Sequence, residues 1–283
     1  MILYDMHLHS DFSSDSTTPV GKQIESARQT GLHGICLTDH MDYDFPEEEI
    51  DFTLSPGEIP FEFNLPDYFS QLKKIRQENP DFTVLTGVEC GLQTTTSVLK
   101  KNTVLSQMEE FDFIIGSLHL VNKKDPYYPS FWNNGDPKEA IRQYLDQLYE
   151  NITAFHHFDS LGHLDYIVRY APVSFSYEPA VFQEQIDAIL AFLIRHDIAL
   201  EFNTSGYKKT AHGNPHEDIL RRYKDLGGTA ITIGSDAHSP EYVAYHFHQA
   251  ESLLTACGFK EYYTFIGYDK VIKDLTYELQ NDI

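Results

Sequence analysis

Short apolar runs alternate along the chain with longer segments in which apolar residues recur at helical spacing. The runs of strand length are Ile2–His9, Gly34–Asp39, Thr83–Glu89, Phe113–His119, Leu161–Ile167, Ile198–Asn203 and Thr229–Ser235. The helical segments are Pro19–Thr30, Asp67–Glu78, Pro137–Ile152, Pro179–Arg195, Glu217–Leu226 and Glu241–Ala256. Because strands that alternate with helices indicate a parallel sheet, seven such units predict a seven-stranded α/β barrel of the TIM type.

Two segments interrupt this alternation. Residues Asp42–Leu65 are acidic and rich in Pro and Phe, and Val121–Asp136 contains the aromatic residues Tyr127, Tyr128, Phe131 and Trp132. Long loops in a compact enzyme often cover its active site. We therefore expect both segments to lie over the mouth of the barrel as lids.

The size of the chain favours one domain. It has 283 residues, of which 41% are hydrophobic, so we expect a single domain over residues 1–283. It has no apolar run of transmembrane length, and its N-terminus lacks the basic and apolar regions of a secretory signal. Cys36 and Cys90 lie in apolar runs, where buried free thiols are favoured. A cytoplasmic protein is expected.

The formal net charge of −22 limits the class of partner. Affinity for nucleic acid rests on Lys and Arg contacts to phosphates, so we expect no nucleic-acid partner. The same charge would repel a small phosphorylated substrate, unless bound cations reverse it locally. The chain has 14 histidines that could hold such cations. We expect a small-molecule partner and no membrane.

Candidate ligands lie at the ends of the predicted strands. The first strand ends in Asp5-Met6-His7-Leu8-His9, and alternate side chains on a strand share a face. We therefore expect His7 and His9 to point into the barrel, and Met6 and Leu8 to point outward. Later strand ends carry, in chain order, His40, Glu89, His119, His163, Asp236 and His238, while Asp15 follows the first strand closely enough to return over the mouth. Imidazole and carboxylate groups at such positions are typical ligands of Zn, Mn or Fe.

A single histidine is more often structural than functional. We interpret eight of the histidines in this way: His33, His156, His157, His196, His212, His216, His246 and His248. The remaining pattern is far more specific, because HxH on the first strand, DxH on the last, and TDH, Glu, SLH and GHLD between them mark the ends of six strands.

In this order, the motifs resemble those of the PHP (polymerase and histidinol phosphatase) family of metalloenzymes over nearly the whole chain. The family fold is a distorted seven-stranded β/α barrel, and its trinuclear members use nine ligands, each of which has a match here. The resemblance implies one divalent ion held by His7, His9, Glu89 and Asp236, a second by Glu89, His119 and His163, and a third by Asp15, His40 and His238. Some relatives have His at the position of Asp15. Glu89, Asp236 and His238 are also expected to take part in catalysis.

The runs GHLDYIVRY and EFNTSGYKK resemble the histidinol-phosphatase branch of the family. This resemblance implies hydrolysis of L-histidinol phosphate to L-histidinol and phosphate in histidine biosynthesis. The planar fork of Arg169 suits bidentate phosphate binding, with a solvated or structural role as the alternative. Glu201 and Asn203 share a face at the end of the sixth strand, where they would meet the substrate amine or imidazole.

Other residues near the predicted mouth receive supporting roles. Asp42 and Asp44 would add to an acidic surface suited to the substrate amine, and aromatic lid residues could stack on its imidazole ring. Lys208 and Lys209 are expected to be solvated. Partners of metal-bound histidines commonly fix the ring orientation, and we assign that role to Asp39, Asp165 and Ser235.

Three alternatives remain open. The first is a PHP phosphoesterase that acts on nucleotides or nucleic-acid ends, although the chain lacks a basic surface. The second is a non-catalytic PHP module, in which loss of some ligands would be expected. The third is a related metal hydrolase of C–N bonds, for which no bridging lysine on a strand is evident.

Overall fold

The computed structural model describes residues 1–54, 57–133 and 135–275. Residues 55–56 and 134, within the two predicted lids, and residues 276–283, at the end of the predicted domain, lie outside the described residues. The strands are β1 (Tyr4–Leu8), β2 (Gly34–Leu37), β3 (His40–Met41), β4 (Thr83–Gly91), β5 (Phe113–Ser117), β6 (Ser160–Leu161), β7 (Ala199–Asn203), β8 (Ile231–Gly234), β9 (Glu261–Ile266) and β10 (Asp269–Asp274). The helices are α1 (Val20–Gln29), α2 (Leu65–Glu78), α3 (Thr96–Leu105), α4 (Pro137–Ala154), α5 (Gln183–Arg195), α6 (Glu217–Asp225) and α7 (Phe247–Ala256).

Seven parallel strands form a nearly closed barrel, in the order β1-β2-β4-β5-β6-β7-β8. The short β3 pairs with the end of β4. Beyond the last paired strand, Leu8 bridges Ala237, and the His9 N–H donates to the Ala237 carbonyl at 3.0 Å. These bonds bring the first and last strands of the barrel together. The prediction of a distorted seven-stranded barrel is confirmed.

The fifth barrel strand is shorter than predicted. Instead of a strand over Leu161–Ile167, only Ser160–Leu161 pair, and a 3-10 turn follows at Tyr166–Tyr170. The chain leaves the sheet because other groups take its backbone hydrogen bonds: the His163 N–H donates to Glu201 Oε2 at 2.8 Å, and its carbonyl accepts from Tyr166. The end of this strand is therefore a turn that curls over the barrel mouth.

An antiparallel hairpin, β9–β10, closes the opposite end of the barrel. The apolar pattern of the sequence predicted neither this hairpin nor α3. Phe265 of β9 joins a buried cluster with Met6, Cys36, Leu85, Phe113 and Ile115, and its ring centroid lies 4.9 Å from that of Phe113. Met6 was expected to point outward. It packs instead in this cluster, because the pairing register of β1 shifts between Asp5 and Leu8.

The outer helices follow the sequence pattern closely. Pro137 lies in the first turn of α4 as predicted, after Asp136, whose side chain accepts from the Lys138 N–H. Pro179 begins a separate 3-10 turn, so the helix predicted from Pro179 begins instead at Gln183, and Val181 is exposed. Cys36, Cys90 and Cys257 are buried free thiols. Within the described residues, every helix is too short or too polar to cross a bilayer.

Because Phe265 packs in this buried cluster, we expect the hairpin β9–β10 to contribute strongly to the stability of the protein. Phe265→Ala should lower the free energy of unfolding by about 3–5 kcal/mol, because it leaves a cavity in a closed apolar cluster. Ile266→Ala is the matched control, since this side chain is 52% exposed and should change stability by less than about 0.5 kcal/mol. Urea unfolding of both variants would measure the difference. Equal effects would mean that Phe265 does not pack in the buried cluster.

Candidate metal centre

One buried carboxylate, that of Glu89 at the end of β4, lies at the centre of the candidate site. Its Oε1 is 3.2 Å from His119 Nε2 and 2.9 Å from His163 Nε2. Its Oε2 is 3.2 Å from His7 Nε2 and 3.1 Å from His40 Nδ1. Candidate ligands from four other strand ends thus converge on Glu89, which lies near the end of β4.

The HxH pair of β1 lies beside this carboxylate. The Nε2 atoms of His7 and His9 are 3.1 Å apart, so the two rings do point together into the barrel. Asp236, after β8, brings its Oδ1 to 3.3 Å from His9 Nε2. Gly234 makes the approach possible, because a Cβ atom there would lie 2.2 Å from the Cβ of His7.

A third group of ligand candidates lies nearer the mouth. Asp15 Oδ2 is 3.0 Å from His238 Nε2 and 3.7 Å from His40 Nε2. The ring of His238 also stacks on that of His9, with 4.0 Å between centroids. Asp15 therefore does return over the barrel mouth.

Four sets of side chains within the described residues have ligand atoms close enough to share an ion. They are His7, His9 and Glu89; Glu89, His119 and His163; His9, His40 and His238; and His40, Asp42 and His119. The first three resemble the predicted groups, and Asp42 is an addition. The eight histidines interpreted as structural lie outside all four sets.

The donor set suits divalent metal ions. Glu89 Oε2 and His40 Nδ1 are buried and lie 3.1 Å apart, but neither forms a hydrogen bond among the described residues, a cost that a bound ion would relieve. Burial alone would raise the pKa of Glu89, but the nearby His7 and His119 hold it well below its usual range, so it stays ionised. Burial alone would lower the pKa of His7, but Glu201 and Glu89 raise it well above its usual value. These carboxylates thus draw protons onto imidazoles, and a divalent cation would displace those protons.

Three of the inner histidines are held by a buried partner on their other ring nitrogen. Glu201 Oε1 lies 2.5 Å from His7 Nδ1, Ser13 Oγ lies 3.0 Å from His9 Nδ1, and Asp42 Oδ1 lies 2.8 Å from His119 Nδ1. Such contacts fix the ring orientation and the tautomer.

From the sequence, we expected Asp39, Asp165 and Ser235 to orient the metal-bound histidines. Asp39 accepts hydrogen bonds from Ser10 and Ser13, in the loop that follows β1. It therefore contacts the partner of His9 and not a metal-site histidine itself. Asp165 bonds to Asn214 instead of a metal-site histidine, and the Ser235 hydroxyl has no partner among the described residues. The partners of His7 and His119 come from elements far away in the chain, and the partner of His9 comes from the loop after β1, so closeness to a predicted ligand in sequence did not identify them.

Glu201 and Asn203, predicted to meet the substrate, are fully buried beneath the cavity. Asn203 accepts from Arg169 Nη2 at 2.9 Å and is bonded to Ser205. Arg169 also donates to Asn214 at 2.5 Å and to Asp236 Oδ2 at 3.1 Å, so most of its fork is engaged within the protein. It nevertheless lines the cavity, although it lies on a turn and not on a strand.

A cavity of about 340 Å³ lies above the cluster. Both predicted lids line it, with Phe45, Glu49, Asp51, Phe52, Phe61, Asp125, Tyr127 and Tyr128. Arg169, Lys208 and Lys209 also line it. Lys208 is half-buried there, whereas Lys209 is exposed, as expected. Asp44 does not line the cavity and instead pairs with Lys101 at 3.0 Å.

Comparison with known proteins identifies a single family. A family model described as PHP domain matches residues 5–205. The histidinol-phosphatase of Lactococcus lactis subsp. lactis is 33% identical over 269 residues, which cover 93% of this chain and 94% of that protein. A probable histidinol-phosphatase of Clostridium acetobutylicum is 30% identical, over 92% of this chain and 95% of that protein. The crystal structure of histidinol phosphate phosphatase from L. lactis, complexed with Zn, L-histidinol and phosphate, matches with a TM-score of 0.82 and 30% identity, over 95% of this chain and 98% of that chain.

The central position of Glu89 predicts a severe effect of Glu89→Gln. The amide places an NH2 group where an oxygen now faces imidazole nitrogens, so both the bound metal and the activity should be lost. The loss of activity should exceed the roughly 10–100-fold that removal of an orienting partner costs. Metal analysis and kcat would be compared with those of Glu78→Gln, an exposed control at the end of α2. Normal metal content in Glu89→Gln would remove this residue from the centre.

Proposed function

We propose that this chain, which belongs to the PHP domain family, is a histidinol-phosphatase. It hydrolyses L-histidinol phosphate to L-histidinol and phosphate. The observation that carries this conclusion is the cluster that six histidines form with Asp15, Glu89 and Asp236 beneath one cavity, in a chain that aligns over most of its length with histidinol-phosphatases. Histidine biosynthesis is the pathway that follows.

Nine residues would hold the metal ions, in the three groups that the family resemblance implies: His7, His9, Asp15, His40, Glu89, His119, His163, Asp236 and His238. We propose three divalent ions of Zn, Mn or Fe. When bound, such ions act as Lewis acids on a phosphoryl oxygen and lower the pKa of coordinated water. Glu89, Asp236 and His238 would take part in catalysis as ligands that face the cavity.

The surrounding residues would keep these ligands in place. Glu201 has its two oxygens on the ring of His7 and on the backbone N–H of His163, so one buried acid fixes ligands from two strands. We therefore propose a positioning role for Glu201 instead of the substrate contact expected from sequence. Asn203 acts similarly by linking Arg169 to Asp236.

The charges of the cavity wall would orient the phosphate. Lys208 is half-buried, with its Nζ 4.0 Å from the ring centroid of Tyr242, and burial lowers its pKa from the usual value. Together with Lys209 and the free N–H groups of Arg169, it gives one side of the cavity a positive charge. A phosphate group would therefore approach the metal ligands along this side, despite the net charge of −22.

The wider assignments follow from this activity. We propose that residues 1–283 form one domain, that the protein is cytoplasmic, and that its partner is a small phosphate monoester and not a nucleic acid. The acidic composition supports the last point.

Metal removal should abolish the activity. After treatment with a chelator, we expect no hydrolysis of L-histidinol phosphate, and recovery when Mn, Zn or Fe is added. The restored enzyme would then be compared on L-histidinol phosphate, a nucleoside monophosphate, a 3′,5′-bisphosphate and a sugar phosphate. Turnover by a verified metal-free sample would contradict the metal centre. A preference for a nucleotide by more than about tenfold in kcat/KM would reassign the enzyme to nucleotide phosphoesterases.

Arg169→Ala should reduce kcat/KM for every phosphate monoester by about ten- to hundredfold, because a charge-assisted contact is worth roughly 1.5–3 kcal/mol. Metal content should persist, since Ser205 Oγ still bonds to Asp236 at 2.9 Å. Arg142→Ala, on the outer face of α4, is the control. Unchanged kinetics in Arg169→Ala would leave this residue with a purely structural role.

A further inference from the structure

Besides Asp42, which contacts His119, the lids contribute three acids to the cavity wall: Glu49, Asp51 and Asp125, which we call the lid acids. They differ in what they contact. Glu49 already pairs with Lys124 at 2.5 Å and accepts from the Asp125 N–H at 2.9 Å, so both its oxygens are engaged. Asp51 is exposed, where water screens its charge.

Asp125 is the lid acid that is both half-buried and without an ion-pair partner among the described residues. It is half-buried, and one of its oxygens accepts from the Tyr127 N–H at 2.8 Å. Among the described residues, no basic side chain lies within ion-pair distance of its carboxylate. Burial raises the pKa of Asp125 to about 6, against the smaller opposing effects of the Tyr127 N–H and of His119.

A row of aromatic rings connects this acid to the metal ligands. Starting from His119, successive ring centroids are separated by 5.6 Å to Tyr166, 5.2 Å to Tyr170 and 5.4 Å to Tyr127. Tyr127 is the residue whose backbone N–H holds Asp125. The acid is therefore fixed on the same cavity wall as a metal ligand. The guanidinium of Arg169 lies over Tyr166 of this row, 5.3 Å from its ring centroid, and Lys208 and Lys209 also line the cavity.

We propose that Asp125 binds the primary ammonium group of the substrate and thereby selects amino-alcohol phosphates over other phosphate monoesters. The proposal rests on the histidinol-phosphatase function above. In L-histidinol phosphate, the amine is carried by the carbon next to the ester carbon, so a cation must lie close to the reacting phosphate. The basic residues suit the anionic end of such a substrate, and Asp125 suits its cationic end.

Burial strengthens this preference. An ammonium group would give the half-buried carboxylate the opposite charge that the protein does not provide, and a charge-assisted hydrogen bond would fix its position. A substrate without the amine would remove water from the acid without giving it a cation, which disfavours binding. The discrimination therefore arises from the cost of the unpaired acid as well as from the contact itself.

Asp125→Asn tests the proposal on the metal-loaded enzyme with two substrates, L-histidinol phosphate and its analogue without the amine, 3-(imidazol-4-yl)propyl phosphate. Asparagine retains the Oδ1 acceptor for the Tyr127 N–H, so the loop should keep its conformation. We expect kcat/KM for L-histidinol phosphate to fall by about ten- to hundredfold, mainly through KM, and the preference over the analogue to disappear. Asp125→Glu, which keeps the charge, should recover part of the preference.

Asp44→Asn is the matched control. Asp44 belongs to the other lid, is paired with Lys101 and lies outside the cavity, so its loss should leave the preference unchanged. An equal loss on both substrates in Asp125→Asn would overturn the proposal and give Asp125 a structural role. A wild-type enzyme that hydrolyses both esters equally well would also overturn it while leaving the phosphatase function intact. A wild-type enzyme inactive on L-histidinol phosphate would instead refute the proposed function, and the proposal with it.

Discussion

The structure of the site depends on a single buried acid. Glu89 is an ionised carboxylate with only 1% of its side chain exposed, and five imidazole rings lie within 3.5 Å of its two oxygens. A charge in such a position is costly unless every neighbour compensates it. The strands and turns that carry these rings must therefore bring them to the same depth in the barrel as Glu89. This requirement applies to β1, to β4 and to the turns after β5 and β6.

The sequence was most informative where a short-range rule decides the geometry. His7 and His9 were correctly paired because side chains alternate along a strand, and the strand ends gathered because parallel strands share a direction. The rule failed where the strand itself was irregular. The register shift in β1 turned Met6 inward, and the early end of β6 placed Arg169 on a turn.

The depth at which a side chain lies within the barrel was harder to predict than the face of the strand from which it points. Alternation gave Glu201 and Asn203 the same inward face, but it did not show that both lie below the metal ligands instead of beside the substrate. That depth depends on the register between β7 and β8, where Asn203 pairs with Gly234, and on the lack of a side chain at Gly234. The hairpin β9–β10 did leave a signal, a run of aromatic and β-branched residues before Gly267, whereas α3 is short and weakly amphipathic.

The closure of the barrel between β1 and β8 has a consequence for the synthesis of the protein. Asp5 accepts a hydrogen bond from the Ser235 N–H, and these residues are separated by 230 positions in the chain. His7 and Asp236 therefore meet only after nearly the whole polypeptide has left the ribosome. During translation the early histidines remain incomplete as a chelating group, and contacts of such long sequence separation form slowly. The complete set of ligand candidates therefore comes together only when the barrel has closed between β1 and β8.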